Sequence, residues 1–346
     1  MPGETDFGET TFSGHKSRKP STGLLIGAFA ALYLAWGGTY LAIRIGIESI
    51  PPLLMVGARY VIAGAILYAW SRMHGEPLPT RVHWRSAAIA GALLLLGGNG
   101  ALAWAEQRVP SGLAALLIAT TPFWMALLAW WLKLGRPNAG VAVGLALGFL
   151  GMLVLVGFGV FRGRGAVDPV GAVVLLLASL SWAAGALYGR RAKLPASVLD
   201  STAVQMLAGG GLLIVAGILR GELLGFSLGA VTVRSWIAFI YLVVFGGIVG
   251  MTAFLWIMRT TTPSRASTYA YVNPVVAVIL GWAYAGEALT ARTLIAAAII
   301  VAGVAMVISF RDRQPQKAQI PPSGKGCAVR ATSTSSSDSV PAARTS

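Results

Sequence analysis

Ten apolar runs of about 20 residues follow one another with little between them, and they decide what this chain can fold into. A helix rises 1.5 Å per residue, so roughly 20 apolar residues cross a hydrocarbon core ~30 Å thick. Runs of that kind cover residues 24–43, 53–70, 86–105, 111–132, 139–160, 170–189, 199–219, 235–257, 264–285 and 290–310. The connections are short and carry Pro, Gly, Arg or Lys, as at Pro51-Pro52, Gly135-Arg136-Pro137 and Thr261-Thr262-Pro263, so no separate domain fits between spans. Composition agrees: 56% of the residues are hydrophobic and 11% charged, whereas a soluble domain carries about 25% charged residues. A soluble two-domain enzyme could not clothe its apolar surface with so few charges. The fold class expected is an all-α membrane protein with ten transmembrane helices.

Several chemistries drop out at once. Cys327 is the one cysteine and lies near the C-terminus, which excludes a disulfide framework and a CxxC site. His15, His74 and His83 all lie in polar stretches, so no metal centre is expected in the membrane, and no cofactor is expected at all. The first 22 residues are acidic, then basic, and lack the short apolar stretch and small-residue cleavage site of a signal peptide. They are expected to form a cytoplasmic tail, residues 1–22. Residues 311–346 are rich in Ser, Thr, Pro, Lys and Arg; such a segment buries no core and is expected to be a disordered cytoplasmic tail.

Charge placement sets the expected orientation. With the N-terminus inside, the cytoplasmic segments hold 19 of the 27 Lys and Arg residues, the opposite side holds Arg44, Arg108, Arg162, Arg164, Arg220, Arg234 and Arg292, and Arg59 falls within a span. Positive charge concentrates on cytoplasmic loops, so both termini are expected inside. The net charge of +15 is thereby a topology signal and an attraction to anionic lipid, and nucleic acid is not an expected partner.

The two halves repeat. At an offset of 152, Trp104 falls on Trp256, Gly98 on Gly250, Pro122 on Pro274 and Gly151 on Gly303, while Pro110 and Pro263 match at 153. Trp36 to Arg44 and Trp182 to Arg190 share a spacing of eight residues at an offset of 146. Landmarks at comparable places in their spans indicate a duplicated five-span unit, residues 23–161 and 162–310. Because five is odd, the first unit enters from the cytoplasm and leaves outside, so the second sits inverted. Two inverted five-helix repeats are an architecture of secondary transporters, in which nearly equivalent halves open a midplane site to either side. In the fourth span of each unit, Pro122 and Pro274 lie near the centre. Proline lacks the N–H and displaces the carbonyl four residues back, so kinks are expected there, with the Ile118 and Ala270 carbonyls freed.

The stretch Trp36-Gly37-Gly38-Thr39-Tyr40 with Arg44, Pro51-Pro52 and Arg59 resembles the opening of drug/metabolite transporter superfamily members with paired EamA-type domains. Gly98-Asn99-Gly100 with Glu106 and Val109-Pro110-Ser111-Gly112, and Ser267-Thr268-Tyr269-Ala270-Tyr271-Val272-Asn273-Pro274 followed by Gly286-Glu287, are similar to its ten-span exporter branch. The resemblance covers residues 23–310 and implies an exporter of amino acids, related metabolites or toxic small molecules in the bacterial inner membrane, its last helix in each repeat outside the transport bundle. One departure is that Gly286-Glu287 after the ninth span is answered by Gly135-Arg136 after the fourth.

Candidate pathway residues follow from the cost of polar groups in lipid. Arg59, seven residues into the second span, costs on the order of 3 kcal/mol unless it meets a partner or a watery cavity. A substrate carboxylate, Glu106 and a structural clamp are its candidate partners. Glu106 is a candidate for proton coupling or for an interfacial pair with Arg44 or Arg108; Asp200 and Glu287 are the other acids near the membrane, and Glu287 is expected to cap the junction of the last two spans. Trp36, Tyr40, Trp104, Trp182, Tyr269 and Tyr271 are candidates for lining a cavity or packing helices. Thr39, Asn99, Gln205 and Asn273 are uncharged polar groups inside spans, available to a substrate or to another helix. Glycines spaced by four, Gly140, Gly144 and Gly148, and Gly246 and Gly250, read as helix contacts. The expected function is secondary export of amino acids or related small amphipathic metabolites, with import or facilitated diffusion as the alternative and an integral membrane enzyme as the remote one. Expected partners are the small-molecule substrate, the lipid bilayer and, as candidate coupling ion, the proton; the protein is expected as monomer or homodimer.

Overall fold

Each apolar run becomes a helix. The computed structural model describes residues 22–133, 138–156, 168–260 and 269–311. Its helices are α1 (Thr22–Gly46), α2 (Pro52–Met73), α3 (Arg81–Ala105), α4 (Ser111–Trp131), α5 (Ala139–Val156), α6 (Pro169–Gly189), α7 (Val198–Leu219), α8 (from Val233 to Thr260), α9 (Tyr269–Ala285) and α10 (Ala291–Arg311). Eight of these are long and apolar enough to cross a membrane, and Ala139–Leu155 and Tyr269–Ala285 are shorter apolar helices. Both tails and the loops at 134–137, 157–167 and 261–268 lie outside the described residues. The protein is an all-α membrane protein whose described residues form ten helices in two inverted five-helix repeats.

The helix pairings carry the duplication into space. α2 packs on α7, α4 on α9 and α5 on α10, so three helices of the first repeat meet their own counterparts; α1 with α9 is answered by α6 with α4, α1 with α8 by α6 with α3, and α3 with α7 by α8 with α2. The α2–α7 seam is a backbone contact: a Cβ on Gly57 would lie 3.0 Å from the Gly210 carbonyl oxygen. In the α5–α10 pair, a Cβ on Gly144 would lie 2.9 Å from the Gly303 carbonyl oxygen. In lipid, where the hydrophobic effect does not drive helices together, such close approach supplies the dispersion contact that does.

The third helix of each repeat widens into a π-helix, Ala92–Gly100 in α3 and Leu242–Val249 in α8. A π turn is rare and displaces carbonyls from their usual partners. Here the first helix of the opposite repeat supplies donors. Ser181 Oγ on α6 donates to the Leu93 carbonyl at 2.8 Å, and Trp36 Nε1 on α1 donates to the Gly246 carbonyl at 3.1 Å. The same two helices also place indole rings on the repeat-matched glycines. A Cβ on Gly98 would lie 2.9 Å from the Trp182 ring, and one on Gly250 would lie 2.4 Å from Trp36 Nε1.

Pro122 divides α4 into Ser111–Ile118 and Thr121–Trp131. The Ile118 carbonyl, which the missing N–H of Pro122 leaves open, accepts from Thr121 Oγ1 at 2.7 Å and from Ser179 Oγ of α6 at 3.5 Å. Thr120 Oγ1 donates to the Leu117 carbonyl at 2.6 Å, and Ser179 Oγ lies 3.1 and 3.0 Å from the Thr120 and Thr121 hydroxyls. Three hydroxyls thus answer one proline. Pro274 lies inside α9, whose helix continues on both sides of it.

Candidate functional site

Two buried charged groups, Arg59 and Glu106, lie toward the end of the bundle where α3 stops and α4 starts. On α2, Arg59 is 4% exposed. Its Nη2 donates to Tyr60 Oη at 3.1 Å and to Asn99 Oδ1 of α3 at 3.0 Å, and its guanidinium carbon sits 4.5 Å from the Tyr60 ring centroid. These partners are neutral, and Arg59 Nε has no hydrogen-bond partner among the described residues. A buried cation held by neutral groups leaves its charge uncompensated by any direct contact, which is the costly arrangement in a low-dielectric interior.

Glu106 follows the last residue of α3 and is fully buried. Arg44 of α1 donates to its backbone carbonyl, while neither carboxylate oxygen has a hydrogen-bond partner among the described residues. Arg44, Arg59 and Glu287 all lie within electrostatic range of that carboxylate, and Tyr40 lies within range of both Glu106 and Tyr269. Asn273 of α9 is also buried, its Oδ1 unpartnered among the described residues. These groups lie on α1, α2, α3 and α9, and among the described residues they leave Arg59 Nε without an acceptor and the Glu106 and Asn273 side-chain oxygens without donors. That combination can receive a small molecule carrying both an acceptor and a donor.

The remaining candidates divide. Trp36 meets Tyr269 edge-on at 5.2 Å and Phe254 at 5.2 Å, an aromatic group across α1, α8 and α9 beside the polar site. Trp182 packs on Gly98 in the other half. Trp104 is flanked by the guanidinium carbons of Arg108 at 4.9 Å and Arg220 at 5.9 Å. Tyr40 and Tyr271 pack at the edge of the main core. Thr39 turns to the Trp36 carbonyl at 2.6 Å and Gln205 to the Ser201 carbonyl at 3.0 Å, both within their own helices. At the far end of the bundle Asp200, 1% exposed, is ion-paired with Arg72 across α2 and α7.

Some participants carried no obvious sequence signal. Tyr60, Ser179 and Glu222 matter for what they meet across the fold. Glu222 accepts from the Leu53 and Leu54 backbone N–H groups, each at 3.0 Å, and so caps α2. Glu287 caps a helix as well: at the junction of the last two spans its own N–H donates to the Gly281 carbonyl of α9 at 3.1 Å, and its side-chain oxygens accept from Ser111 N at 2.6 Å, Ser111 Oγ at 2.7 Å and Gly112 N at 2.9 Å, at the start of α4 in the other repeat. The signal that could have found both is a glycine just past a helix end, at positive φ, followed by Glu: Gly221 at 77° before Glu222 and Gly286 at 66° before Glu287. Only the missing Cβ makes that conformation cheap.

Ten helices in inverted repeats, with a buried polar site formed where the two halves meet, define a membrane transporter. The EamA-like transporter family matches the chain twice, over residues 22–157 and 169–309, and the chain belongs to that family, within the drug/metabolite transporter superfamily. It is 39% identical over 300 residues, 86% of this chain and 95% of the other, to the uncharacterized inner membrane transporter YedA of Escherichia coli (strain K12). It is 26% identical over 282 residues, 79% of this chain and 92% of the other, to the uncharacterized transporter YoaV of Bacillus subtilis (strain 168). A solved crystal structure shares the fold with a TM-score of 0.58 at 22% identity, covering 84% of this chain and 99% of that one.

Proposed function

We propose that this protein is a secondary transporter of the inner membrane that exports amino acids or related small amphipathic metabolites by alternating access, with both termini cytoplasmic. The observation that carries the reading is Arg59: a buried guanidinium whose contacts are Tyr60 and Asn99, both neutral. A substrate carboxylate is the natural counter-charge, taken by the two-pronged guanidinium geometry that Arg offers and Lys does not. Glu106, with both oxygens free of donors among the described residues, supplies the acceptor for a substrate ammonium or for a coupling proton. The aromatic rings of Trp36, Phe254 and Tyr269 provide the apolar wall of such a site. In this orientation the Glu106 end of the bundle faces away from the cytoplasm.

The test uses purified protein in liposomes and labelled amino acids, with and without an imposed pH gradient. Saturable flux accelerated by the gradient is expected. Arg59→Ala should reduce it at least tenfold while the variant still reconstitutes, and flux at the normal rate in Arg59→Ala would refute the site assignment. Flux indifferent to the gradient would favour facilitated diffusion and remove the proton.

A further inference from the structure

Three helices end in a turn whose glycine has positive φ and is followed by Glu, and what that Glu meets differs between the two ends of the bundle. After α7 and α9, at the Glu106 end, come Gly221-Glu222 and Gly286-Glu287; at the other end Gly75-Glu76 follows α2, and Lys133, at a positive φ of 56°, follows α4. Gly75 shares the positive φ, 75°. Both glutamates at the Glu106 end reach across to cap a first-repeat helix, Glu222 on α2 and Glu287 on α4. Glycines make room for these carboxylates. A Cβ on Gly281 would lie 2.4 Å from a Glu287 oxygen, and one on Gly217 would lie 3.1 Å from a Glu222 oxygen.

α2 and α7 are tied at the other end as well, by the Arg72–Asp200 ion pair, and their backbones touch between the two ties. For α4 and α9 the cap described is that of Glu287 on Ser111 and Gly112. Both helices of that seam carry a central proline, and α4 is divided there.

On the transporter reading above, we propose that α2–α7 is the fixed axis and that Glu287 is the latch of a gate between α4 and α9 at the Glu106 end, so the carrier rests closed at that end. Opening requires the Glu287 carboxylate to leave the Ser111 and Gly112 N–H groups. Glu287 lies within electrostatic range of the Glu106 carboxylate, so a change of charge at Glu106 changes the field at the latch.

The experiment measures thiol labelling in right-side-out vesicles, with Cys327→Ser and a single Ala277→Cys as background. Ala277 is on α9 and fully buried. Glu287→Gln keeps the side-chain shape, removes the charge and one acceptor, and should raise the rate of labelling by a membrane-impermeant maleimide about tenfold. Ser111→Ala removes one of the three donors and should raise it about threefold; it carries the test if Glu287→Gln fails to insert. Glu222→Gln, which loosens the axis and not the gate, should change the rate less than twofold. An unchanged rate in both Glu287→Gln and Ser111→Ala, or an equal rise in Glu222→Gln, would overturn the proposal. The measurement needs no substrate, so absence of amino-acid flux in the unmodified protein would sink the amino-acid reading and leave the latch to be judged by labelling alone.

Discussion

Gly250→Ala tests whether the indole-on-glycine contacts hold the two repeats together. The new methyl carbon would lie 2.4 Å from Trp36 Nε1 and 2.6 Å from its Cδ1, with the Phe245 carbonyl oxygen behind it at 2.9 Å. Carbon contacts settle near 3.5–4.0 Å, so the ring must retreat by roughly 1 Å. The ring is wedged against Phe254 and Tyr269 and cannot retreat freely, and overpacking of this kind costs about 1–3 kcal/mol. The retreat also breaks the Trp36 Nε1 hydrogen bond to the Gly246 carbonyl, now 3.1 Å, for a further ~0.5–1.5 kcal/mol. The expected destabilisation is therefore about 2–4 kcal/mol. The control is Gly211→Ala, where a Cβ meets nothing within 4 Å and where replacing a helical glycine gains up to ~1 kcal/mol. Equilibrium unfolding in mixed micelles reads both, together with a double-mutant cycle against Trp36→Leu. In the Trp36→Leu background the cost of Gly250→Ala should fall below about 1 kcal/mol. A cost no larger than that of Gly211→Ala, or one that persists unchanged beside Trp36→Leu, would refute the reasoning. Gly98→Ala against Trp182 should behave alike, more mildly because its closest approach is 2.9 Å.

Two further outcomes are expected, beside those for Arg59 and Glu287. Thr121→Val combined with Ser179→Ala strands the Ile118 carbonyl and should cost about 1–3 kcal/mol in the same unfolding assay, either change alone costing less because the other hydroxyl still serves. Reporter enzymes fused after Arg191 and after Arg313 should both signal from the cytoplasm, and an external signal from either would reverse the proposed orientation.

The spans were legible because lipid leaves the backbone almost no other way to satisfy its hydrogen bonds, and the duplication was legible because glycine, proline and tryptophan leave landmarks at fixed offsets. Arg59 stood out by its cost alone. What periodicity cannot give is the partner. Trp36 and Trp182 announced themselves as deep aromatics, yet their place on Gly250 and Gly98 depends on each third helix meeting the first helix of the other repeat. The π-helical turns were equally silent: a π turn in an apolar run has the composition of an α-helix, and Gly246 and Gly250 read as close-packing residues. Glu287 was recognisable as a cap, but which helix it caps is decided by the α4–α9 pairing, which no local pattern encodes.

The repeat explains the scaffold, and the departures from it mark where the two halves have been given different tasks. At the offset of 146, Arg59 corresponds to Gln205 and Tyr60 to Met206; at 152, Asn99 corresponds to Met251 and Glu106 to Met258. The polar set that receives the proposed substrate is thus built by the first repeat and answered by amide and thioether side chains in the second. Perfectly equivalent halves would give a carrier with two energetically equal faces. Placing the charge in one half, and the Glu287 cap at one end, works against that equality, since a charge-assisted contact is worth on the order of 1.5–3 kcal/mol. A difference of that size biases a two-state equilibrium by one to two decades. It is also small enough for a bound substrate carboxylate or a proton on Glu106 to offset, so the device that closes one end does not prevent it from opening.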